Sequence, residues 1–245
     1  MKLIADFGNT LQKLAIFNGN ELVSLSRFEN ITAQQLSDFI RTNGPFKSAI
    51  LSSVIIVEED ILSIFNQIPL FIELSHQTPL PVKLFYKTPE TLGRDRIAAA
   101  VAGNFLYPDH NVLVIDAGTC ITFDLVTKTA EYLGGSIHPG INMQFTALHT
   151  FTGKLPLVNR RDFDELTGKT TEESIISGVL RGTCASVEGM IDDYNSRFPE
   201  LVVLITGGDS GYLFNNLKNR IFALPNLILE GLNKILDFNE IKKPG

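Results

Sequence analysis

A pattern that occurs twice, near residues 6 and 116, constrains the fold of this chain more than any other feature of its sequence. Residues 2–16 read KLIADFGNTLQKLAI, and residues 112–126 read VLVIDAGTCITFDLV. In both copies an apolar run ends at an Asp, passes through a Gly and continues as an alternating stretch. Each copy predicts a strand, a tight turn that glycine permits, and a returning strand. Two such hairpins about half a chain apart indicate two duplicated lobes.

The remaining segments alternate between strand and helix patterns, which is typical of an α/β fold. A long helix is predicted at 171–196, and its residues Gly178, Gly182 and Gly189 are expected to permit close packing or a bend. The other predicted elements are strands at 2–7, 11–17, 21–28, 48–55, 70–75, 111–127 (a hairpin) and 201–206, and helices at 32–42 (opened by a capping box), 58–67, within 90–106 and at 225–241.

The chain contains no linker or low-complexity tract that would separate two independent domains. The Tyr107-Pro108-Asp109-His110 segment has the composition of a turn and lies just before the second hairpin. We therefore predict two closely packed lobes, at residues 1–108 and 109–245.

The composition is that of a globular protein without a nucleic-acid or membrane partner. Of the 245 residues 44% are apolar, yet no apolar run approaches the ~20 residues of a membrane span. A net charge of −6 without a basic run argues against nucleic-acid binding. Cys120 and Cys184 lack zinc-site spacing, and the first apolar run stops at Asp6, unlike a signal peptide. We expect a cytoplasmic protein.

Glycine-containing turns follow predicted strands around residues 8, 118 and 208. Such turns let a ligand approach the backbone, and their amide N–H groups can bind phosphate oxygens. Thr10 and Thr119 can add hydroxyl donors. An Asp beside a phosphate is unfavourable unless a hard cation lies between them, and Asp6 and Asp116 are suited to that role.

Two familiar motifs offer other interpretations, and both fail on their context. Asp6-Phe7-Gly8 spells the magnesium-binding tripeptide of protein kinases, but their glycine-rich loop, strand lysine and catalytic loop must precede it. Residues 208–211, GDSG, resemble the nucleophile segment of chymotrypsin-like proteases. That chemistry needs a catalytic His and Asp, and none of the four histidines has a recognisable setting for it.

Seven segments taken together resemble type III pantothenate kinases, a family of the acetate and sugar kinase, heat-shock chaperone and actin superfamily. The segment LGRDRIAAAVAG at 92–103 and the run GGSIHPGINMQ at 134–144 are the most discriminating. The others are DFGNT at 6–10, IDAGTCITFDLV at 115–126, GKLP at 153–156, GKTTEESIISG at 168–178 and TGGDSGYL at 206–213. The resemblance implies two ribonuclease-H-like lobes, each a mixed five-stranded sheet with helices, with ATP in the cleft between them.

The resemblance also implies a set of functional residues and ligands. Asp95 matches the proton acceptor, and Asp116 matches the ligand of a monovalent cation, K⁺ or NH₄⁺, while Mg²⁺ would accompany ATP. A homodimer is implied as well. The implied ATP site is Asp6, Phe7, Gly8, Asn9, Thr10, Leu11, Gln12, Lys13 and Thr119, and the implied pantothenate site is Tyr86, Gly93, Arg94, Asp95, Arg96 and Thr171.

Several alternatives stay open from the sequence. Lys13 either touches phosphate or is solvated, and either Thr170 or Thr171 can cap the following helix, with Thr171 preferred as the ligand. The GRDR run, taken alone, is also compatible with an exposed helix start that favours an Asp. The chain could instead phosphorylate another small molecule, such as a sugar or acid, or bind nucleotide as a non-catalytic regulatory factor. The joint presence of Asp95, Thr119 and Thr171 favours an enzyme.

Overall fold

The structure of the protein is a computed structural model, and it describes residues 1–242. Backbone contacts divide the chain into two compact units. The first unit comprises Met1–Asp109, Val126–Gly134 and the chain from Asn226 onward, and the second comprises His110–Leu125 and Gly135–Pro225. The predicted lobes at 1–108 and 109–245 stay a prediction. Within residues 1–242 there is no helix with the length and apolar character that crossing a membrane requires.

Residues 1–242 form the following strands and helices. They are β1 Lys2–Phe7, β2 Gln12–Asn18, β3 Glu21–Phe28, α1 Ala33–Asn43, β4 Ser48–Ser53, α2 Glu59–Phe65, β5 Leu70–Glu73, β6 Lys83–Leu84, α3 Arg94–Leu106, β7 Asn111–Ala117, β8 Cys120–Val126, β9 Glu131–Pro139, α4 Ile141–Thr150, α5 Thr171–Arg197, β10 Leu201–Thr206, α6 Ser210–Asn216, β11 Phe222–Ala223 and α7 Leu227–Lys242. A short 3₁₀ turn at Pro89–Thr91 precedes α3.

The sheet of the first unit has the strand order β3-β2-β1-β4-β5. Strands β1, β2 and β3 pair antiparallel as two hairpins, whereas β4 and β5 add in parallel, so the sheet is mixed as predicted. Gly19 has φ +59° in the turn between β2 and β3, a conformation that glycine adopts without strain. The capping box predicted at Thr32 is present at the start of α1.

The two faces of this sheet are covered by different helices. Leu3, Ala5 and Phe7 of β1 point to one face, where they pack in an apolar cluster with residues of α1 and α2. Alternation along a strand sends Lys2 and Asp6 to the opposite face. Helix α7 packs on β1 and β4 there, and the buried Lys2 ammonium donates to Asp237 of α7 at 2.6 Å.

Helices α3 and α7 pack closely against each other on this second face. A Cβ atom added at Gly231 of α7 would lie 1.9 Å from the carbonyl oxygen of Ala98 in α3. Seven consecutive α3 residues from Ile97 to Gly103 are buried. The Ala-rich sequence therefore lets α3 lie flat against its neighbours, which fixes the position of its amino-terminal turn.

The second sheet has the strand order β11-β10-β7-β8-β9-β6. It contains six strands, so the expectation of five strands in each sheet is wrong for this one. Strands β6 and β11 are only two residues long, and a two-residue strand leaves no alternating pattern in the sequence. Strands β7 and β10 are parallel neighbours whose carboxyl ends meet, with Asp116 paired to Thr206.

Helix α5 forms the longest element of the second unit and packs against α4 and β10. The expected close packing at its glycines is not found, because a Cβ atom at Gly178, Gly182 or Gly189 would meet no described atom within 4 Å. These glycines lie on the side of the helix that the rest of residues 1–242 leaves open. In contrast, Thr170 caps the helix as predicted, its hydroxyl accepting from the Glu173 amide at 3.1 Å.

The contact between α3 and α7 predicts opposite outcomes for two glycine substitutions. We expect Gly231→Ala to destabilise the protein by at least about 2 kcal/mol, since the new methyl group would clash with the Ala98 backbone. Gly189→Ala is the matched control in a helix interior without neighbours, and we expect it to be neutral or stabilising by up to about 1 kcal/mol. Urea unfolding measures both. Equal stability of the two variants would contradict the close packing of the helices.

Candidate active site

Asp6 lies at the carboxyl end of β1, directly before the turn that joins β1 to β2. The Gly8 amide donates to the carbonyl oxygen of Leu11 at 3.1 Å, which closes the turn. Asn9 and Thr10 are exposed at its tip. The predicted hairpin is confirmed, with Asp6 at its base and two small polar residues at its apex.

The Asp6 carboxyl is buried, and its surroundings favour the protonated form. Only 8% of the residue is exposed. Burial raises its pKa from 3.8 to about 6, and the nearby Asp95 raises it as well. Lys13, whose ammonium lies 3.9 Å from the carboxylate, acts in the opposite direction, as does the Ser52 hydroxyl. The Lys13 side chain thus lies beside Asp6 rather than fully in solvent.

Two of the side chains assigned to the ATP site by resemblance are engaged elsewhere. Phe7 is buried in the apolar cluster, with its ring centroid 6.5 Å from that of Phe65. Gln12 is buried too, and its side-chain oxygen accepts from the Ile31 amide at 2.7 Å. At these two positions the side chains hold the hairpin in place, so they are not available to a ligand.

The GRDR segment forms the amino-terminal end of α3. Gly93 is the residue before the helix, and a Cβ atom there would lie 2.5 Å from a carboxylate oxygen of Asp95. That oxygen accepts from the Arg96 amide at 2.8 Å, while Arg94 donates to the Leu92 carbonyl at 2.7 Å. Glycine at this position therefore leaves space for the Asp95 carboxylate at the helix start.

Tyr86 lies after the short strand β6 and packs on β9. Its ring centroid is 6.1 Å from that of Tyr132. Gly134 has φ +93°, and a Cβ atom there would lie 3.2 Å from the Tyr86 ring. Tyr86 is half-buried, so its ring rests against the strand while part of it stays accessible.

In the second unit, Asp116 lies near the carboxyl end of β7 beside the turn that follows β10. Gly207 has φ +94°, and a Cβ atom there would lie 2.4 Å from both an Asp116 carboxylate oxygen and the Ala117 carbonyl oxygen. The Asp209 amide donates to the same carbonyl at 2.9 Å. Carboxylate and carbonyl oxygens thus converge at this turn.

The turn after β7 contains Gly118 and Thr119, and it packs against the start of α4. The Gly140 amide donates to the Thr119 carbonyl at 3.2 Å. A Cβ atom on Gly140 would lie 2.4 Å from the carbonyl oxygens of both Gly118 and Thr119. The Pro-Gly pair in the 134–144 run therefore allows the turn and the helix to approach each other closely.

Thr171 is the first residue of α5 and lies on an open apolar groove between α4 and α5. The groove has a volume of about 740 Å³. Thr170 is the cap, as preferred from the sequence, and Thr171 is among the residues that line the groove. The residues that line it are Gln144, Ala147, Leu148, Phe151, Thr152, Leu155, Thr171, Ser174, Ile175, Gly178 and Val179.

Arg160 and Asp209 form an ion pair that sequence reasoning missed. The Arg160 guanidinium also lies 4.4 Å from the centroid of the Tyr212 ring. The pair ties the irregular segment after α4 to the turn after β10. It joins residues about fifty positions apart, and nothing in the local sequence indicates such a pairing.

Comparison with known proteins identifies the family. A sequence profile described as type III pantothenate kinase matches residues 2–193. A type III pantothenate kinase from Phocaeicola vulgatus is 45% identical over 241 residues, which cover 98% of this chain and 99% of the relative. The chain belongs to the type III pantothenate kinase family.

Solved structures show that the fold is shared beyond this family. A conserved Campylobacter jejuni protein named for the Baf family matches with a TM-score of 0.59 at 23% identity, over 98% of this chain and 99% of its own. A glucokinase from an Antarctic psychrotroph matches with a TM-score of 0.55 at 14% identity, over 97% and 98%. These likenesses concern the fold alone. Together with the two mixed sheets of this α/β structure, they confirm the predicted fold class, that of the actin-like ATPases.

Asp6, Lys13 and Asp95 are brought together in the first unit of this type III pantothenate kinase family member. Among the residues that the structure describes, no three His, Cys, Asp or Glu side chains converge on a common point as a metal site would require. Single carboxylates such as Asp6 and Asp116 fit a cation that takes its other ligands from phosphates or carbonyl groups.

The raised pKa of Asp6 predicts a pH-dependent cost of folding. The folded state holds the Asp6 proton up to about pH 6, whereas the unfolded chain loses it near pH 3.8. Stability should therefore fall as the pH rises through this range, by about 3 kcal/mol in total. We expect Asp6→Asn to be more stable than the parent by up to about that amount at pH 8, and equal to it near pH 3.5.

Urea unfolding of both proteins across this pH range measures the difference. Asp162→Asn is a suitable control, since Asp162 is an exposed acid in the irregular segment after α4. A stability difference between Asp6→Asn and the parent that does not change with pH would contradict the raised pKa.

Proposed function

We propose that this chain catalyses the ATP-dependent phosphorylation of pantothenate to 4′-phosphopantothenate, the first step of coenzyme A biosynthesis. Membership of the type III pantothenate kinase family supports the reaction. The observation that carries the proposal is the position of Asp95 at the start of α3, close enough to the buried Asp6 to perturb its pKa. A proton acceptor and a nucleotide-binding carboxylate would thus share one site.

Asp95 is proposed as the proton acceptor. Phosphoryl transfer through a loose transition state requires mainly alignment and charge stabilisation. A carboxylate is a weak base, so Asp95 need only orient the primary hydroxyl of pantothenate and accept its proton late. The Arg96 amide bonded to Asp95 fixes the orientation of that carboxylate, and Gly93 leaves room for it.

The nucleotide is proposed to bind at the turn after β1 and at Thr119. Gly8, Asn9, Thr10 and Leu11 would offer backbone groups and small polar side chains, and Lys13 would offer a cation near the phosphates. Mg²⁺ would neutralise phosphate charge, with most of its ligands supplied by the nucleotide and by water. Asp6 can orient that hydrated ion, which would in turn favour its ionised form.

Pantothenate is proposed to contact Tyr86, the start of α3, and Thr171. Arg94 or Arg96 can bind its carboxylate or the transferred phosphate, because a guanidinium offers two parallel donors. The partly accessible Tyr86 ring and the exposed Thr171 hydroxyl are both available to a ligand. The proposed use of ATP is consistent with the expected cytoplasmic location.

A coupled assay of ADP release with pantothenate, Mg²⁺ and K⁺ tests the reaction. We expect turnover by the parent and a loss of about 10²- to 10⁴-fold in kcat for Asp95→Asn, with the Kd for Mg·AMP-PNP changed less than about threefold. Glu90→Gln, which alters an exposed acid just before α3, should keep full activity. No turnover with pantothenate by the parent would exclude the proposal, and turnover with a sugar or acid instead would indicate a different small-molecule kinase.

Asp116 is proposed to bind a monovalent cation, K⁺ or NH₄⁺. Its carboxylate and the Ala117 carbonyl both approach Gly207, and oxygen donors of this kind suit a hard cation. We expect KCl or NH₄Cl to raise turnover severalfold over choline chloride, and Asp116→Asn to abolish that stimulation. Equal rates of the parent enzyme in all three salts would contradict a cation site.

We also propose that the protein is a homodimer in which a second copy covers the groove between α4 and α5. The groove is lined mainly by apolar side chains, and Phe151 at its rim is 85% exposed. Exposed apolar surface of this kind is typical of protein interfaces. Gly178, which lines the groove and has no side chain, would let another copy approach α5 closely.

Sedimentation equilibrium at micromolar concentration tests the homodimer. We expect a dimer for the parent and a shift toward monomer for Phe151→Glu, because a buried charge without a partner is costly. Ile56→Glu changes a residue that is 98% exposed and lies outside the groove, so it should leave the dimer intact. A monomeric parent, or a dimer that survives Phe151→Glu, would contradict this interface.

A further inference from the structure

Ser52 lies directly beside Asp6 in the sheet of the first unit. Strands β1 and β4 are parallel, and Asp6 and Ser52 are partners in their register. Neighbouring strands lie about 4.8 Å apart, and partner residues point to the same face. Ser52 is therefore on the α7 side of the sheet, at the same carboxyl edge as Asp6.

The Ser52 hydroxyl is wholly enclosed yet poorly satisfied. The residue is 0% exposed. Its oxygen makes no hydrogen bond of ordinary geometry with any residue in the described part of the chain, although it is close enough to Asp6 to favour the ionised carboxylate. Leaving a buried hydroxyl without a partner destabilises the folded state.

The other two serines of β4 behave differently. The Ser48 hydroxyl, on the same face at the opposite end of the strand, donates to the Glu240 carboxylate of α7. The Ser53 hydroxyl donates to the Ile55 carbonyl at 2.7 Å and accepts from the Ile55 amide at 3.1 Å. Ser48 and Ser53 thus stabilise the fold through hydrogen bonds of their side chains, whereas the Ser52 hydroxyl makes no such bond within residues 1–242.

An alanine at position 52 would avoid the cost of an unsatisfied hydroxyl and fit the same space. The neighbour that could accept a hydrogen bond from this hydroxyl is the Asp6 carboxylate, whose charged form is disfavoured mainly by burial. A carboxylate that becomes ionised gains most from a donor already beside it, since a hydrogen bond to a charged acceptor is stronger than a neutral one.

We propose that Ser52 is a positioning residue for Asp6: its hydroxyl donates to the Asp6 carboxylate when nucleotide is bound and holds that carboxylate toward the hydrated cation. Ser52 acts through Asp6 and does not touch the ligand, because it has no accessible surface. The inference rests on the proposed binding of nucleotide at Asp6, and it adds a residue from β4 to a site otherwise built on β1 and α3.

Calorimetric titration with Mg·AMP-PNP tests the role without any need for turnover. We expect Ser52→Ala to raise the Kd by about 10- to 100-fold, the loss expected for a hydrogen bond to a charged group. The melting temperature of the nucleotide-free variant should equal or exceed that of the parent, because an unsatisfied hydroxyl is removed. In the turnover assay its KM for pantothenate should stay within about twofold.

Ser48→Ala is the matched control on the same strand and face. It removes the hydrogen bond to Glu240, so we expect a lower melting temperature and an unchanged Kd for Mg·AMP-PNP. The inference is overturned if Ser52→Ala binds the nucleotide as tightly as the parent, or if its weaker binding comes with a lower melting temperature. Tight nucleotide binding by the parent without pantothenate turnover would instead exclude the proposed reaction and leave the role of Ser52 testable.

Discussion

The first unit of this protein is organised around a carboxylate that water hardly reaches. Asp6 is the next-to-last residue of a strand whose six residues are all buried, and it lies near a second carboxylate, Asp95. Enclosing an acid beside another acid is unfavourable, and the Lys13 ammonium, 3.9 Å from the Asp6 carboxylate, only partly offsets it. A bound cation that accompanies a nucleotide would supply the missing positive charge. The buried carboxylate destabilises the free protein, and ligand binding would remove that destabilisation.

The packing of the first unit keeps this arrangement in place. Helix α3 carries Asp95 at its start, and its position depends on α7, which packs against it so closely that a Cβ atom at residue 231 would clash with the Ala98 backbone. Helix α7 is in turn tied to the amino end of β1 by the ion pair between the buried Lys2 and the partly exposed Asp237. Helix α7 thus helps to hold the carboxylates of Asp6 and Asp95 in position, from the face of the sheet opposite the apolar cluster.

Much of the fold could be predicted because the deciding signals are local. The Asp-Gly hairpins, the capping box at Thr32 and the cap at Thr170 depend on residues within a few positions of one another, and all are confirmed. The two-residue strands β6 and β11 were missed because their pairing depends on distant neighbours. The environment of Ser52 and the open surface of the α5 glycines likewise depend on tertiary packing, and spacing along the chain carries no information about them.

The pKa of Asp6, measured by carbon-13 NMR titration of protein labelled at aspartate, tests the central claim most directly. In the nucleotide-free protein we predict a value of about 6. With saturating Mg·AMP-PNP we predict a clearly lower pKa, because nearby positive charge favours the ionised carboxylate. A value near 3.8 in the free protein, or the same value with and without nucleotide, would contradict the claim that ligand binding compensates a buried charge.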